Sequence, residues 1–243
     1  MAIDYIPHTL RQVDPDRYFI SLFAPADRRE ALWTLFLFNH EISKTRFTVT
    51  ETQLGLIRLQ WWREEIGKMY AGQAAPDNPV LKGLEDAIEG FALPQALFDN
   101  LIYAHEFDLE DVPPTGFKGL KSYADLITTP LNKLALQIAG DDISEEIIQS
   151  ISIRYGLLKL FLARPYYQAH NFTLIEDKSV GNLKNTLVWK GDKVKNSSVL
   201  RAQQALCDVY VAQLRQYEFN PAVDNLKKPP LFKELRVWFR VVF

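Results

Sequence analysis

Residues able to do chemistry fall in three places. His40 and Glu41 stand ahead of Ser43, Lys44 and Arg46, so one imidazole and one carboxylate share a short run with two cations. Two carboxylates one helical turn apart would share a face and could hold a hard divalent cation through oxygen ligands. This run lacks that pair, and Lys44 would compete with a cation and, together with Arg46, attract an anion instead. No second His follows His40 at metal spacing, so zinc is not expected. The second place is His105, Glu106, Asp108, Glu110 and Asp111, which carry ligand types but crowd a helix end before Pro113. An exposed acidic terminus is the expectation there. The third is Tyr166, Tyr167 and Asn171, in a stretch where no Asp or Glu occurs between Glu146 and Glu176. Gly-rich phosphate loops, a Ser elbow and a Cys–His arrangement are absent from the sequence. Arg58 and Arg63 are expected to be solvated or paired with Glu64 and Glu65 on neighbouring turns.

The elements that must position these groups read as helices. Pro25 marks a turn and Asp27 is placed to cap a helix whose broad apolar face is Ala31, Leu32, Leu35, Phe36 and Phe38. A second helix starts near Glu51, carries Leu54, Ile57, Leu59, Trp61, Trp62, Ile66 and Met69, and stops at Gly72. Further helices are predicted over Pro79–Phe91, Pro94–Glu110, Leu120–Ala139, Ser144–Asn171, Ser197–Tyr217 and Pro230–Phe243. Pro113, Pro114 and Gly116 break the middle of the chain, and Gly181, Gly191, Asp192 and Asn196 mark a polar connection with an irregular or extended stretch around Thr186–Trp189. Trp33, Trp61 and Trp62 read as core. No repeat and no alternating strand series is present, so the fold class is all-α, a helical bundle, with residues 1–243 as one domain.

Composition sets the outer bounds. A chain of 243 residues that is 47% hydrophobic can bury a full core, and a net charge of −2 gives no overall signature of nucleic-acid binding. The single cysteine, Cys207, forms no intramolecular disulfide and suits a reducing compartment. The N-terminal residues have no apolar core of a signal peptide, and Asp4, Asp14 and Asp16 do not suit an acid-poor transit peptide. No run approaches the ~20 apolar residues that span a bilayer. A cytoplasmic protein, in contact at most with the periphery of the inner membrane, is the expectation. The C-terminal Leu231–Phe243 surrounds its helix with apolar residues and is expected to close the bundle; Lys233, Arg236, Arg240 and Trp238 also suit a membrane surface or an apolar partner.

The quoted segments resemble the squalene and phytoene synthases, the head-to-head branch of the trans-isoprenyl diphosphate synthases. Pro25, Arg29, Ala31, Leu32 and Trp33 match the lead-in to that family's first Asp-rich motif. The same register puts His40 at the family's Arg, Ser43 and Lys44 at its Asp pair, and Phe47 at its closing Asp. Leu120 and Tyr123 resemble its Leu-x-x-Tyr helix, but Asp125 and Ile127-Thr128-Thr129-Pro130 stand where it continues with a catalytic Tyr and a small-residue turn. Anchored on Gly156, the second motif has Tyr166 at the family's Arg and Tyr167 and Asn171 at its two Asp positions. Phe38-Asn39-His40-Glu41, the run Gly55-Leu56-Ile57-Arg58-Leu59-Gln60-Trp61-Trp62, and Ala163-Arg164-Pro165-Tyr166 look like the non-catalytic branch related to a mitochondrial assembly factor for respiratory complex I. Trp61–Glu65 also looks like bacterial squalene-pathway synthases. The resemblance covers roughly Asp14 to Gly191.

This resemblance implies an isoprenoid-synthase-like bundle around a central cavity, with His40, Glu41, Arg58, Trp62, Tyr123, Asp125 and Tyr166 as candidate ligand-cavity residues. It implies a non-catalytic binding or assembly factor for a membrane respiratory complex, with a protein partner or an isoprenoid or lipid ligand, and no cofactor. The lack of a transit peptide suggests a bacterial relative of the mitochondrial factor. The alternatives are an isoprenoid carrier and a working prenyltransferase. The prenyltransferase would need Mg²⁺ held by substitute ligands from Glu41, Asp108, Asp111 or Asp125.

Overall fold

The structure is a computed structural model and describes residues 5–110, 114–170, 172, 174–175, 179–189, 194–220 and 229–242. Every regular element among the described residues is helical. The chain divides into two compact units, Met1–Val112 with Pro130–Asp142, and Pro113–Thr129 with Ile143–Phe243.

The first unit begins with α1 (Tyr5–Val13), which buries Ile6 and Leu10 and was not foreseen from the sequence. Asp14 starts α2 (Pro15–Ser21): its side chain accepts from the Arg17 backbone N–H at 3.2 Å, and Pro15 needs no partner at the first helical position. The expected Asp27 cap is corrected. Asp27 lies inside a short 3₁₀ turn, Ala26–Arg28, so α3 (Arg29–Ser43) starts two residues later with no side-chain cap. Leu32, Leu35, Phe36, Leu37, Phe38 and Ile42 of α3 are buried, and α3 packs on α1. A single turn, α4 (Thr45–Thr48), leads to α5 (Thr52–Tyr70). Then follow α6 (Pro79–Phe91), α7 (Gln95–Phe107) and the C-terminal part of α8 (Gly116–Ala139).

The largely aliphatic core of this unit holds an aromatic cluster. Phe38 lies edge-on to Trp62 of α5 at 5.4 Å between ring centroids and to Phe98 of α7 at 5.7 Å. Of the three tryptophans expected in the core, Trp62 is buried, Trp33 is half-buried with its indole N–H donating to Ser21 Oγ at 2.7 Å, and Trp61 is exposed. Trp61 sits on the outward side of α5 with Leu54 and Ile57, because Gly55, Leu59, Trp62 and Ile66 are the buried stripe. Gly55 is small for a reason: a Cβ there would lie 2.7 Å from the Leu109 side chain.

The second unit holds the N-terminal part of α8, α9 (Glu145–Ala169), α10 (Val180–Val188), α11 (Ser198–Gln216) and α12 (Lys233–Val242). α9 runs on through Pro165. It presses on α8 at Gly156, where a Cβ would meet Thr128 Oγ1 at 2.7 Å and the Ala124 carbonyl oxygen at 3.0 Å. The extended stretch expected around Thr186–Trp189 is corrected: the chain is helical through Val188, since Leu183 and Leu187 lie one turn apart and both are fully buried, and only Trp189 is extended. α12 docks on α11, as expected, but through a narrow face of Lys233, Val237 and Val241. Leu235, Trp238, Phe239 and Val242 remain exposed beside Arg236 and Arg240.

Candidate functional site

In the first unit the residues at the end of α3 form a closed electrostatic group. Glu41 Oε1 accepts from Lys44 Nζ at 2.5 Å, and Glu41 Oε2 lies 3.3 Å from Arg58 Nη2. Arg58 Nη1 also donates to Thr48 Oγ1 at 3.2 Å. Both oxygens of the one carboxylate are thus tied to cations, which leaves little capacity for a metal ion. Ser43 Oγ donates back to the His40 carbonyl at 3.0 Å. Burial, then the neighbouring Lys44 charge, holds the His40 imidazole below its ordinary pKa of 6.5, so it is neutral at neutral pH. Phe47 is half-buried on α4, and Trp62 packs in the core against Phe38.

The acidic helix end is more enclosed than the sequence suggests. His105 is buried, its Nδ1 is 2.8 Å from Asp108 Oδ2, and the Asp108 carbonyl accepts from Arg46. The expected pairing of Arg63 with Glu64 or Glu65 is also corrected. Arg63 reaches Glu106 on α7 at 2.8 Å, Glu65 pairs with Lys68, and Arg58 pairs with Glu41. Residues one or two apart on a helix do not face one another, whereas α5 packs against α7 and brings Glu106 within reach. Asp111 lies outside the described residues, and no group of three or more potential metal ligands occurs among those described.

In the second unit Asp125 is half-buried and accepts from Thr129 Oγ1 and, at 2.7 Å, from Gln149 Nε2. Tyr123, one turn before Ile127, is half-buried as well. Tyr166 is exposed and its ring lies tilted against His170 with 4.2 Å between centroids; Tyr167 is half-buried near Phe172 at 5.9 Å. Asn171 lies outside the described residues. The candidate cavity residues therefore divide between the units, His40, Glu41, Arg58 and Trp62 in one and Tyr123, Asp125 and Tyr166 in the other.

Sequence reasoning missed Arg154. It is 3% exposed, donates through Nε and Nη2 to the Leu187 carbonyl at 3.1 and 2.9 Å, and pairs through Nη2 with Asp208 at 2.7 Å. The available signal was one Arg inside the apolar run Ile151–Leu158. A buried charge of that kind requires a partner.

Residues 10–157 match the family model described as squalene/phytoene synthase. Complex I assembly factor 6 of Homo sapiens is 28% identical over 165 residues, 67% of this chain and 49% of that protein. Its homolog in Drosophila melanogaster is 26% identical over 140 residues, 54% of this chain and 40% of that protein. The chain thus spans about half the length of the human relative it matches. Among solved structures, a dehydrosqualene synthase in complex with ligand superposes with a TM-score of 0.76 at 12% identity, covering 99% of this chain and 95% of that one. A squalene synthase from Alicyclobacillus acidocaldarius gives 0.63 at 15% identity, with 98% and 92% covered. The all-α fold is the isoprenoid synthase helical fold.

Proposed function

The chain belongs to the squalene/phytoene synthase family, and from that premise we propose that it is a non-catalytic factor that assists assembly of a membrane-bound respiratory NADH dehydrogenase. One observation carries the reading. At the end of α3, where the family resemblance calls for paired metal-binding carboxylates, Lys44 occupies an Asp position and neutralises Glu41 together with Arg58. Mg²⁺-assisted ionisation of a prenyl diphosphate needs anionic oxygen ligands free to hold the metal. Of the other substitutes weighed from the sequence, Asp108 is engaged with His105 and Asp125 with Thr129 and Gln149, while Asp111 lies outside the described residues. The assembly role itself comes from the likeness to complex I assembly factor 6.

The partner in this reading is a protein of the respiratory complex, met at the membrane surface. No helix among the described residues is long and apolar enough to cross a membrane. α12 supplies an exposed row of Leu235, Trp238, Phe239 and Val242 flanked by Arg236 and Arg240, a composition suited to lying on an anionic bilayer. The reading is tested by removing the chain from its source cells and resolving membrane complexes on native gels. Loss of assembled NADH dehydrogenase, restored by the chain, is the expected result; normal assembly without it would overturn the reading.

A further inference from the structure

A groove in the second unit has the chemistry of an unassigned ligand site. It encloses about 440 Å³ and is lined by Lys121 of α8, Ser150 and Arg154 of α9, and Asn185 and Thr186 of α10, with Ile153 and Trp189 as its apolar walls. That volume lies within the range of small-molecule sites, ~300–1,000 Å³. Arg154 is 97% buried, and its Nη1 has no hydrogen-bond partner among the described residues, nor has the buried Ser150 Oγ.

The guanidinium carries five N–H donors. Nε and Nη2 serve the Leu187 carbonyl and Asp208, which leaves both Nη1 donors unmet. Shielded donors of this kind are costly to leave unpaired, and Arg154 is one of the residues that line the groove. The charge balance selects an anion. Asp208 is shared by Arg154 and by Arg240 at 3.6 Å, and Lys121 has no ion pair among the described residues. One carboxylate therefore serves two cations, and Lys121 adds a third positive charge to the groove lining. The nearest acid on α8, Asp125 one turn from Lys121, is engaged by Thr129 and Gln149.

The remaining lining narrows the class. Two hydroxyls, an amide, an ammonium and a guanidinium suit the three acceptor oxygens of a phosphate better than a planar carboxylate. Trp189, 51% exposed, offers a broad π face on which a planar ring can stack. Asn185 can both donate to and accept from a ring edge. We infer that the groove formed by α8, α9 and α10 binds a phosphomonoester with a planar aromatic body, phosphate on Lys121 and Arg154, ring on Trp189. This goes beyond the assembly reading and stands or falls without it.

The test is calorimetric titration of the full chain with adenosine monophosphate, phenyl phosphate, inorganic phosphate and geranyl phosphate. Lys121 and Trp189 are exposed, so Lys121→Ala and Trp189→Phe leave the packing intact, which thermal melts verify. The two aromatic phosphates bind with dissociation constants below about 1 mM and the other two at least tenfold more weakly; Lys121→Ala weakens binding about tenfold, the scale of one charge-assisted hydrogen bond. Absence of binding at millimolar concentration, affinity for geranyl phosphate equal to that for the aromatic probes, or binding indifferent to both substitutions overturns the inference.

Discussion

The end of α3 and the groove along α8, α9 and α10 both gather basic side chains, but they use them differently. At the end of α3 the cations Lys44 and Arg58 close on Glu41, and Ser43 turns back to its own helix. In the groove Arg154 keeps an Nη1 without a partner among the described residues, and Lys121 lines the same space. A site can lose a metal by filling its ligand positions with internal ion pairs. A binding site instead leaves donors without internal partners, and an exposed salt bridge is too weak by itself to tell the two apart.

The comparison is sharpened first at Asp208. Asp208→Asn leaves the buried Arg154 charge with only the Leu187 carbonyl and the weaker amide, and should cost about 2–3 kcal/mol, below the full buried-pair value because Asp208 is a quarter exposed. Urea denaturation reads that loss, and an unchanged midpoint would mean that Arg154 is not buried as described. Next is Gly156→Ala, which drives a methyl into Thr128 and the Ala124 carbonyl and should lower stability by ~1–3 kcal/mol in the same assay. A neutral result would show that α8 and α9 can separate freely.

The ion pairs at the end of α3 should matter less. Glu41→Gln removes the acceptor shared by Lys44 and Arg58, both about one-third exposed, and costs about 1 kcal/mol or less. The same variant should gain weak, salt-sensitive binding of inorganic phosphate, followed by calorimetry, because two cations are then uncompensated. The smallest effect concerns His40. Its folded pKa lies below 6.5, so between the two values the unfolded chain binds the extra proton and stability falls as pH drops through 6.5. His40→Gln should flatten the melting temperature between pH 7 and pH 5; an identical slope in the variant would remove His40 as the cause.

Local signals mark most of the helices, whereas long-range partners were hidden. Asn78 and Pro79 mark the start of α6, and the structure has the predicted span Pro79–Phe91. That Ser43, Lys44 and Tyr167 are not acidic is legible because side-chain type alone decides it. Burial of His105, the pairing of Arg63 with Glu106, and the Arg154–Asp208 pair across 54 residues depend on which helices meet, which periodicity does not state. The misplaced start of α3 and the missed helix at Thr186–Val188 have the same origin. Pro25 and the Gly- and Asn-rich connection mark turns without fixing where the next buried stripe begins.

The central claim is that the carboxylate site of the family has become an internal ion-pair group. Its most direct test is titration of the purified chain with farnesyl diphosphate, with and without Mg²⁺, followed by product analysis of the same mixtures. The account predicts no Mg²⁺-dependent heat and no condensed prenyl product. Mg²⁺-dependent binding accompanied by a condensed product would contradict it.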